Sequence, residues 1–424
     1  MTTVRGCQFL PWTVAFALIT LAVTQSEISI TEIPKSSLYD SSQQFALNFF
    51  KNVSRIVDSD PNVTTTNIIV SPLSVWSLLA LVTEGAGGNT LSELLRVLNV
   101  RDQNEIKYNY RKLQETINVN TSEVKISPSQ FIFTDINRPV HRDFDNNIDR
   151  YYGKELLEAL DFSSSNEAIK QSYDRINQVV ASATEGQIMK AIHPTDIVQA
   201  RMVILSVLFF QGEWTLPFNR TLTTPTLFYD ENERIVGNVQ MMYQKAVFPF
   251  AAFRELEAQI VELPYGSDRH LSMMLILPRK GVPLQAVISR LADFNMETIY
   301  QELKQAAIEY EDDEVEVYLP RFEITADYTL IPVLKEMGIR DALNKDTANF
   351  NKIANDIFLG SVIQKCKIIV NEEGTTAAAV TAAVFANKAT PPRFFANRPF
   401  AFLIVDKRYD LILFMGQVKD PHSI

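Results

Sequence analysis

One large α+β domain is the architecture this chain predicts, and three observations predict it. Hydrophobic residues fill 46% of the 424 positions and charged residues 21%, the balance of a globular chain with a sizeable core. Apolar residues recur at helical spacing through the first half, while continuous or alternating runs of strand length gather in the second. The two kinds of segment follow no regular βαβ rhythm, and no linker, repeat or low-complexity tract divides them.

Taken in order, the chain opens with Arg5 and an apolar run from Phe9 to Val23, of signal-peptide length. The run is broken by Pro11 and is short for a membrane span. Small residues at Ala22-Val23-Thr24 and Thr24-Gln25-Ser26 make 1–24 the expected signal, with cleavage as late as 26. Residues 27–424 then form a soluble, secreted domain without a membrane partner. Asn-X-Ser/Thr tripeptides at Asn52, Asn62, Asn120 and Asn219 fit a glycosylated, exported chain. Asn52 borders the apolar face of a predicted helix, whereas Asn62 and Asn120 stand in polar, loop-like context.

Phe45, Phe49, Val53 and Ile56 mark a helix that ends before Asp60-Pro61. Ser74 to Val82 reads as a buried helix, Glu105 to Ile117 as an amphipathic one, and Ile169, Tyr173, Ile176 and Val180 mark another. Gly85-Ala86-Gly87-Gly88 reads as a helix-ending turn. Arg201 to Gln211 is an almost unbroken apolar run, as a central strand buried on both faces requires. Glu314 to Leu319 alternates, and Ile368 to Val370 is a short β-branched run. Phe400 to Asp406 and Leu411 to Val418 flank Lys407-Arg408-Tyr409 as a hairpin. Cys7 falls in the expected signal, so Cys366 is left without an internal partner, half-buried in a strand between Lys365 and Lys367.

The functional classes narrow by exclusion. Fifty acidic against 40 basic residues, a net charge of −10, exclude a general nucleic-acid binder. The four histidines, His141, His193, His270 and His422, show no metal-ligand spacing, and no cofactor is called for. There is no G-x-S-x-G elbow, P-loop or dinucleotide fingerprint, so no catalytic residue is assigned. The acidic run Glu309 to Glu314 reads as a solvated lead-in to a strand. Lys107, Arg111 and Lys112 share part of a helix and would be the polyanion site, diluted by Glu105 and Glu115.

An ordered set of motifs resembles one family. Asn67 through Ser71-Pro72-Leu73-Ser74 is followed by Glu84-Gly85-Ala86 and Gly88-Asn89-Thr90. Val207 to Trp214, Leu263-Pro264-Tyr265 and Leu271 to Pro278 come next, then Leu319 to Phe322 and Leu334 to Gly338. Asn371-Glu372-Glu373-Gly374, Arg398-Pro399-Phe400 and Phe414-Met415-Gly416 through Pro421 complete the series. Together they resemble the serpins over roughly residues 40 to 421. The resemblance implies three β-sheets, eight or nine helices and an exposed reactive loop at about 374–398. It also implies a monomeric trap for a serine protease rather than an enzyme.

The loop's composition fits that role on physical grounds. Glu372 and Glu373 lead to Gly374, which tolerates the backbone angles of a swinging hinge. Thr375, Thr376, Ala377, Ala378 and Ala379 follow, with no bulky, charged or proline side chain. Residues 375–388, extended at ~3.3 Å each, reach about 46 Å. Thr375, Ala377, Ala379, Thr381 and Ala383 would point one way, into a packed interior that would exact several kcal/mol for an unpaired charge. Bulky or charged hinges belong to the non-inhibitory carriers of the family, which are the alternative reading.

Lys388 stands 14 residues after Gly374 and 11 before Pro399, where the family's pattern puts the scissile bond. The expected reactive bond is Lys388-Ala389, and the expected partner is a trypsin-like protease held in a covalent 1:1 complex. Ser71, Ser74, Ser206 and Gln364 fall in the region where the family's main sheet opens. Ser206 and Gln364 depart from the Asn and His usual there, and a direct Ser–Gln hydrogen bond is the expected substitute.

Overall fold

The computed structural model describes residues 36–59, 67–117, 119–153, 156–198, 200–309, 313–374 and 391–422. Nine α-helices lie among the described residues. They are α1 (Ser36–Ser59), α2 (Pro72–Thr83), α3 (Gly88–Val97), α4 (Gln103–Ile117), α5 (Arg142–Tyr151), α6 (Asn166–Ala183), α7 (Leu284–Ala292), α8 (Met296–Glu309) and α9 (Ile331–Met337). Local chemistry explains the boundaries of the informative ones. Ser71 caps α2 by accepting from Ser74 N at 3.3 Å, and Pro72 occupies a first-turn site that needs no N–H donor. Every residue of α2 is buried, so its apolar sequence has no polar face. Ser165 caps α6 in the same way, and Gly338 ends α9 at φ +101°.

The strands form three sheets. The main sheet runs β12 (Phe322–Thr329), β13 (Leu359–Val370), β5 (Met202–Gly212), β3 (Val124–Asp135) and β2 (Val119–Asn120), with β4 (Leu157–Leu160) also on β3. The second runs β1 (Ile68–Val70), β16 (Leu411–Val418), β15 (Phe400–Asp406), β10 (Leu271–Pro278), β9 (Ala258–Tyr265) and β8 (Phe250–Phe253). The third runs β14 (Arg393–Phe395), β11 (Val315–Pro320), β7 (Ile235–Ala246) and β6 (Thr224–Tyr229). Neighbours in the main sheet are antiparallel except at the edge pair β3–β4 and at one central seam, where β5 and β13 run parallel.

Strand alternation divides the core. Met202, Ile204, Leu208 and Phe210 of β5, with Val362, Cys366 and Ile368 of β13, face the large cluster shared with α2 and the second sheet. Val203, Leu205 and Val207, with Ile363, face a smaller cluster beneath α6 and the 187–198 segment.

The predicted helices at Phe45, Ser74, Glu105 and Ile169, the central strand and the C-terminal hairpin all occur, most of them longer by a few residues. Helices do dominate the first half, but the long strand β3 also crosses the main sheet there and is not among the predicted elements. Lys125, Ser127, Pro128, Ser129 and Gln130 hid it, and Pro128 is tolerated because that side of β3 is unpaired between β2 and β4. Three expectations change. The helix-ending turn covers only Glu84-Gly85; Gly87 caps α3 and Gly88 begins it at φ +54°. Ile368 to Val370 is the end of the longer β13 rather than a short strand. Cys366 is fully buried, not half-buried, and burial pushes its thiol up to about 12.

Candidate functional site

The parallel seam is where four singled-out residues converge. β5 and β13 pair from Ser361 opposite Val203 to Lys367 opposite Phe209, and Gln364 lies opposite Ser206. Register extends this pair into a row across the sheet, with Tyr328 of β12 beside Gln364 and Gln130 of β3 beside Ser206. Beneath the row, the start of α2 presents Ser71 and Ser74. Ser206 Oγ donates to Ser74 Oγ at 2.7 Å, and Ser74 Oγ donates to Ser71 O at 3.0 Å. Gln364 Nε2 donates to Ser71 O at 2.8 Å and to Ser74 Oγ at 3.1 Å, while Ser71 N donates to Gln364 Oε1 at 3.2 Å. All four residues are buried. The direct Ser206–Gln364 bond expected from sequence is replaced by a shared partner, Ser74. Both strands are therefore pinned to one helix N-terminus rather than to each other's side chains.

Above the seam, the chain leaves β13 at Val370 and turns. Asn371 and Gly374 exchange backbone bonds of 3.3 and 3.2 Å, enclosing Glu372-Glu373 as a two-residue turn. Three bonds fasten this turn to the segment after β5. Trp214 N donates to Glu373 O at 3.1 Å, Trp214 Nε1 to Asn371 O at 2.9 Å, and Phe218 N to Glu372 O at 2.7 Å. Gly374 sits at φ +98°, and a Cβ there would lie 2.3 Å from Gly212 O and 2.5 Å from Trp214 N. Glycine is required here both by conformation and by the close approach of β5's end.

Glu372 is 1% exposed, and its carboxylate receives Arg321 Nε at 2.8 Å on both oxygens, with Arg321 Nη2 and Thr223 Oγ1 completing its partners. Burial alone would raise its pKa, but the Arg321 and Thr223 bonds together hold it below the usual carboxylate value. Glu373 pairs with exposed Arg220. Sequence named both acids, but the Arg321–Glu372 pair spans 51 positions and carries no local signal.

The outer face of the seam is also bridged. The 187–198 segment packs Ile188, Ile192 and Ile197 onto the cluster that includes Val203, Leu205 and Val207 of β5 and Ile363 of β13. It is tied to α6 where Ala191 N donates to Asn177 Oδ1 at 2.6 Å. Its far end reaches β12, where His193 Nε2 lies 3.2 Å from Asp327 Oδ2. Lys365, opposite Asp327 in register, pairs with the same carboxylate. The segment thus straps α6 to β12 across the join of β5 and β13.

Other expected positions are scattered. Thr375, Thr376, Ala377, Ala378, Ala379, Lys388 and Ala389 lie outside the described residues, as do Asn62 and the expected signal. Asn52 lies within α1, where Nδ2 donates to Asn48 O at 2.8 Å. Asn120 is not in a loop but pairs with Lys125 in β2. Asn219 is exposed, with Oδ1 accepting from Thr221 N at 2.9 Å and Thr221 Oγ1 at 2.8 Å. Lys107 turns toward Glu84 at 3.1 Å and lies over the Tyr151 ring, which spends one cation of the candidate polyanion cluster; Arg111 is exposed. Among the described residues no group of His, Cys, Asp and Glu is placed to hold a metal, and no helix is long and apolar enough to cross a membrane.

Comparison with known proteins agrees with this geometry. Residues 40–421 match the family described as Serpin (serine protease inhibitor). Human Serpin B9 is 32% identical over 361 residues, covering 84% of this chain and 93% of that protein. Human plasminogen activator inhibitor 2 is 30% identical over 421 residues, covering 89% and 98%. Among solved structures, Serpin48, described as a highly specific serpin of the insect Tenebrio molitor, superposes with a TM-score of 0.73 at 25% identity, covering 91% and 98%. Manduca sexta Serpin-12 shares the fold with a TM-score of 0.76 at 24% identity, covering 90% and 99%. A main sheet with a parallel central seam, a glycine-ended turn above it and a family match over nearly the whole chain lead to one conclusion: this chain belongs to the serpins, the family of serine protease inhibitors.

Proposed function

We propose that this chain is a secreted, single-use inhibitor of a trypsin-like serine protease, baited by Lys388. The observation that carries this reading is the register of the turn above the seam. Asn371 and Gly374 already oppose each other as the first pair of an antiparallel ladder on β13. Continued in that register, Thr375 would oppose Val370, Ala377 Ile368, Ala379 Cys366, Thr381 Gln364 and Ala383 Val362. Opposed residues share a face, and these β13 residues face the core. Small residues would therefore enter where space is least, and a threonine hydroxyl would arrive at the polar row.

The energetics favour such an entry. A strand entering antiparallel to both β5 and β13 exchanges one slanted parallel ladder for two antiparallel ones. Roughly a dozen additional hydrogen bonds at about 1 kcal/mol net each is a large drive.

The chemistry belongs to the protease. Its serine Oγ adds to the Lys388 carbonyl, the bond to Ala389 nitrogen breaks, and that nitrogen leaves with a proton, producing an ester to Lys388. Insertion before water reaches the ester carries the protease with the loop and distorts its active site. Relatives are named for plasminogen activator and leukocyte elastase. A lysine side chain suits an acidic specificity pocket and not the small pocket of an elastase. The N-terminal apolar run and the sequons support secretion.

Incubation with trypsin followed by denaturing electrophoresis tests the reading. A covalent band near the summed mass is expected; cleavage alone, with trypsin activity intact, overturns inhibition. Expression in cultured eukaryotic cells should place the chain in the medium with a mobility shift on deglycosylation, and retention in the lysate overturns secretion.

A further inference from the structure

A cavity of about 480 Å³ lies away from the seam, between the β6–β7 turn, the segment joining β10 to α7, and the Arg398-Pro399 approach to β15. Its volume is in the range of small-molecule sites. Tyr229, Val282, Leu284 and Pro399 supply apolar and aromatic wall.

The charges around it are unevenly committed. Arg398 is half-buried, and its guanidinium donates only to carbonyls: Nε and Nη2 to Pro278 O at 3.2 and 2.7 Å, Nη1 to Phe395 O at 3.4 Å. No carboxylate among the described residues pairs with it, and each terminal nitrogen keeps one N–H uncommitted. Desolvation without a counter-charge pulls its pKa below the usual guanidinium value. Arg279, exposed on the same rim, makes no side-chain bond or ion pair among the described residues. The three rim acids are otherwise engaged. Asp230 Oδ1 accepts from Asn232 N and Arg234 N, Glu231 Oε1 from Leu284 N, and Glu233 pairs with Lys280 at 3.1 Å.

We propose that this cavity binds a small organic anion, a carboxylate, phosphate or sulfate on a compact apolar body, with Arg398 and Arg279 holding the head. The planar forks of the two arginines match such oxyanions, and the body replaces water against Tyr229, Val282 and Pro399.

The test titrates the full chain with 1-naphthyl phosphate and, in parallel, with neutral 1-naphthol, by calorimetry. Saturable 1:1 binding of the phosphate is expected, at least ~10-fold tighter than the naphthol, the difference that one charge-assisted bidentate contact provides. Arg279→Gln, on the surface and therefore neutral for folding, should weaken the phosphate by ~5- to 10-fold and leave the naphthol unchanged. Arg398→Lys keeps the charge but not the fork and should weaken it further, with an unchanged circular dichroism spectrum as its folding control. Equal affinity for both probes, no saturable binding, or an Arg279→Gln variant with full affinity overturns the proposal. Benzoate and naphthalene sulfonate then distinguish carboxylate from sulfate or phosphate sources.

Discussion

Replacing Gln364 with leucine tests the polar row most directly. The side chain makes three hydrogen bonds to Ser71 and Ser74, all in a fully buried site. After Gln364→Leu, Ser71 O keeps Ser74 Oγ and Val75 N as donors. Ser71 N keeps only the Cys366 sulfur, a weak acceptor. One poorly satisfied buried donor costs about 1–3 kcal/mol, and the two other lost bonds about 1 kcal/mol each. Burying the leucine in place of the amide returns about 1–2 kcal/mol. The expected loss is about 2 kcal/mol, concentrated on the tie between β13 and α2. Ser206→Ala removes a single bond and leaves Ser74 Oγ with Gln364 as donor, so about 1 kcal/mol is expected. Urea unfolding reads both. With a slope of about 3 kcal/mol/M, the first transition of Gln364→Leu should move down by about 0.7 M, and that of Ser206→Ala by about half as much. The double variant should lose more than the sum, because it removes both donors to the buried Ser74 Oγ. A Gln364→Leu midpoint equal to or above the wild type, or a larger loss in Ser206→Ala, refutes the shared-partner account.

Four further outcomes are expected. Glu372→Gln should cost about 1–2 kcal/mol at pH 7, since its partner Arg321 is half-exposed. Because the folded pKa of Glu372 is depressed, its contribution is complete above the ordinary value of 4.5 and is lost as pH falls through the lower folded value. The melting-temperature gap between wild type and variant should close on acidification, and a constant gap would contradict the Arg321 clamp. Cys366, with a thiol near 12, should resist a disulfide reagent at pH 8, where about one molecule in ten thousand is thiolate, and react fully in denaturant; rapid native labelling contradicts its burial. Ala379→Glu should turn inhibitor into substrate, with cleaved chain replacing the covalent band, and undiminished trapping would count against insertion. Lys388→Ala should slow reaction with trypsin at least ~100-fold, the loss of the charge pair in an acidic specificity pocket, and an unchanged rate would relocate the reactive bond.

What was legible in the sequence was what depends on neighbours along the chain. The hairpin of β15 and β16 and the fully buried α2 show as runs of residues whose period matches their environment. The hinge glycine was legible because a positive φ and a close backbone contact both demand the same residue. β3 was not, because Ser127, Pro128, Ser129 and Gln130 break its apolar pattern, and only the register with β5 from Val124 to Thr134 shows it as one strand. The bridge through Ser74 and the clamp of Glu372 by Arg321 were not legible either. Each joins residues far apart in the chain, and only the sheet brings them within bonding distance.

The strap from α6 to β12 bears on timing. A strand entering between β5 and β13 moves β12 outward by one strand spacing, about 4.8 Å. The His193–Asp327 contact, 3.2 Å long, cannot span that and must release or travel with its segment. An ester to the protease survives only until water attacks it, so trapping is a race between two rates. Under the proposed trapping mechanism, the cover on the outside of the sheet would set one of them. Its grip is a clock as much as a fastening: held too tightly, the protease escapes by hydrolysis, and held too loosely, the sheet could open before any protease arrives.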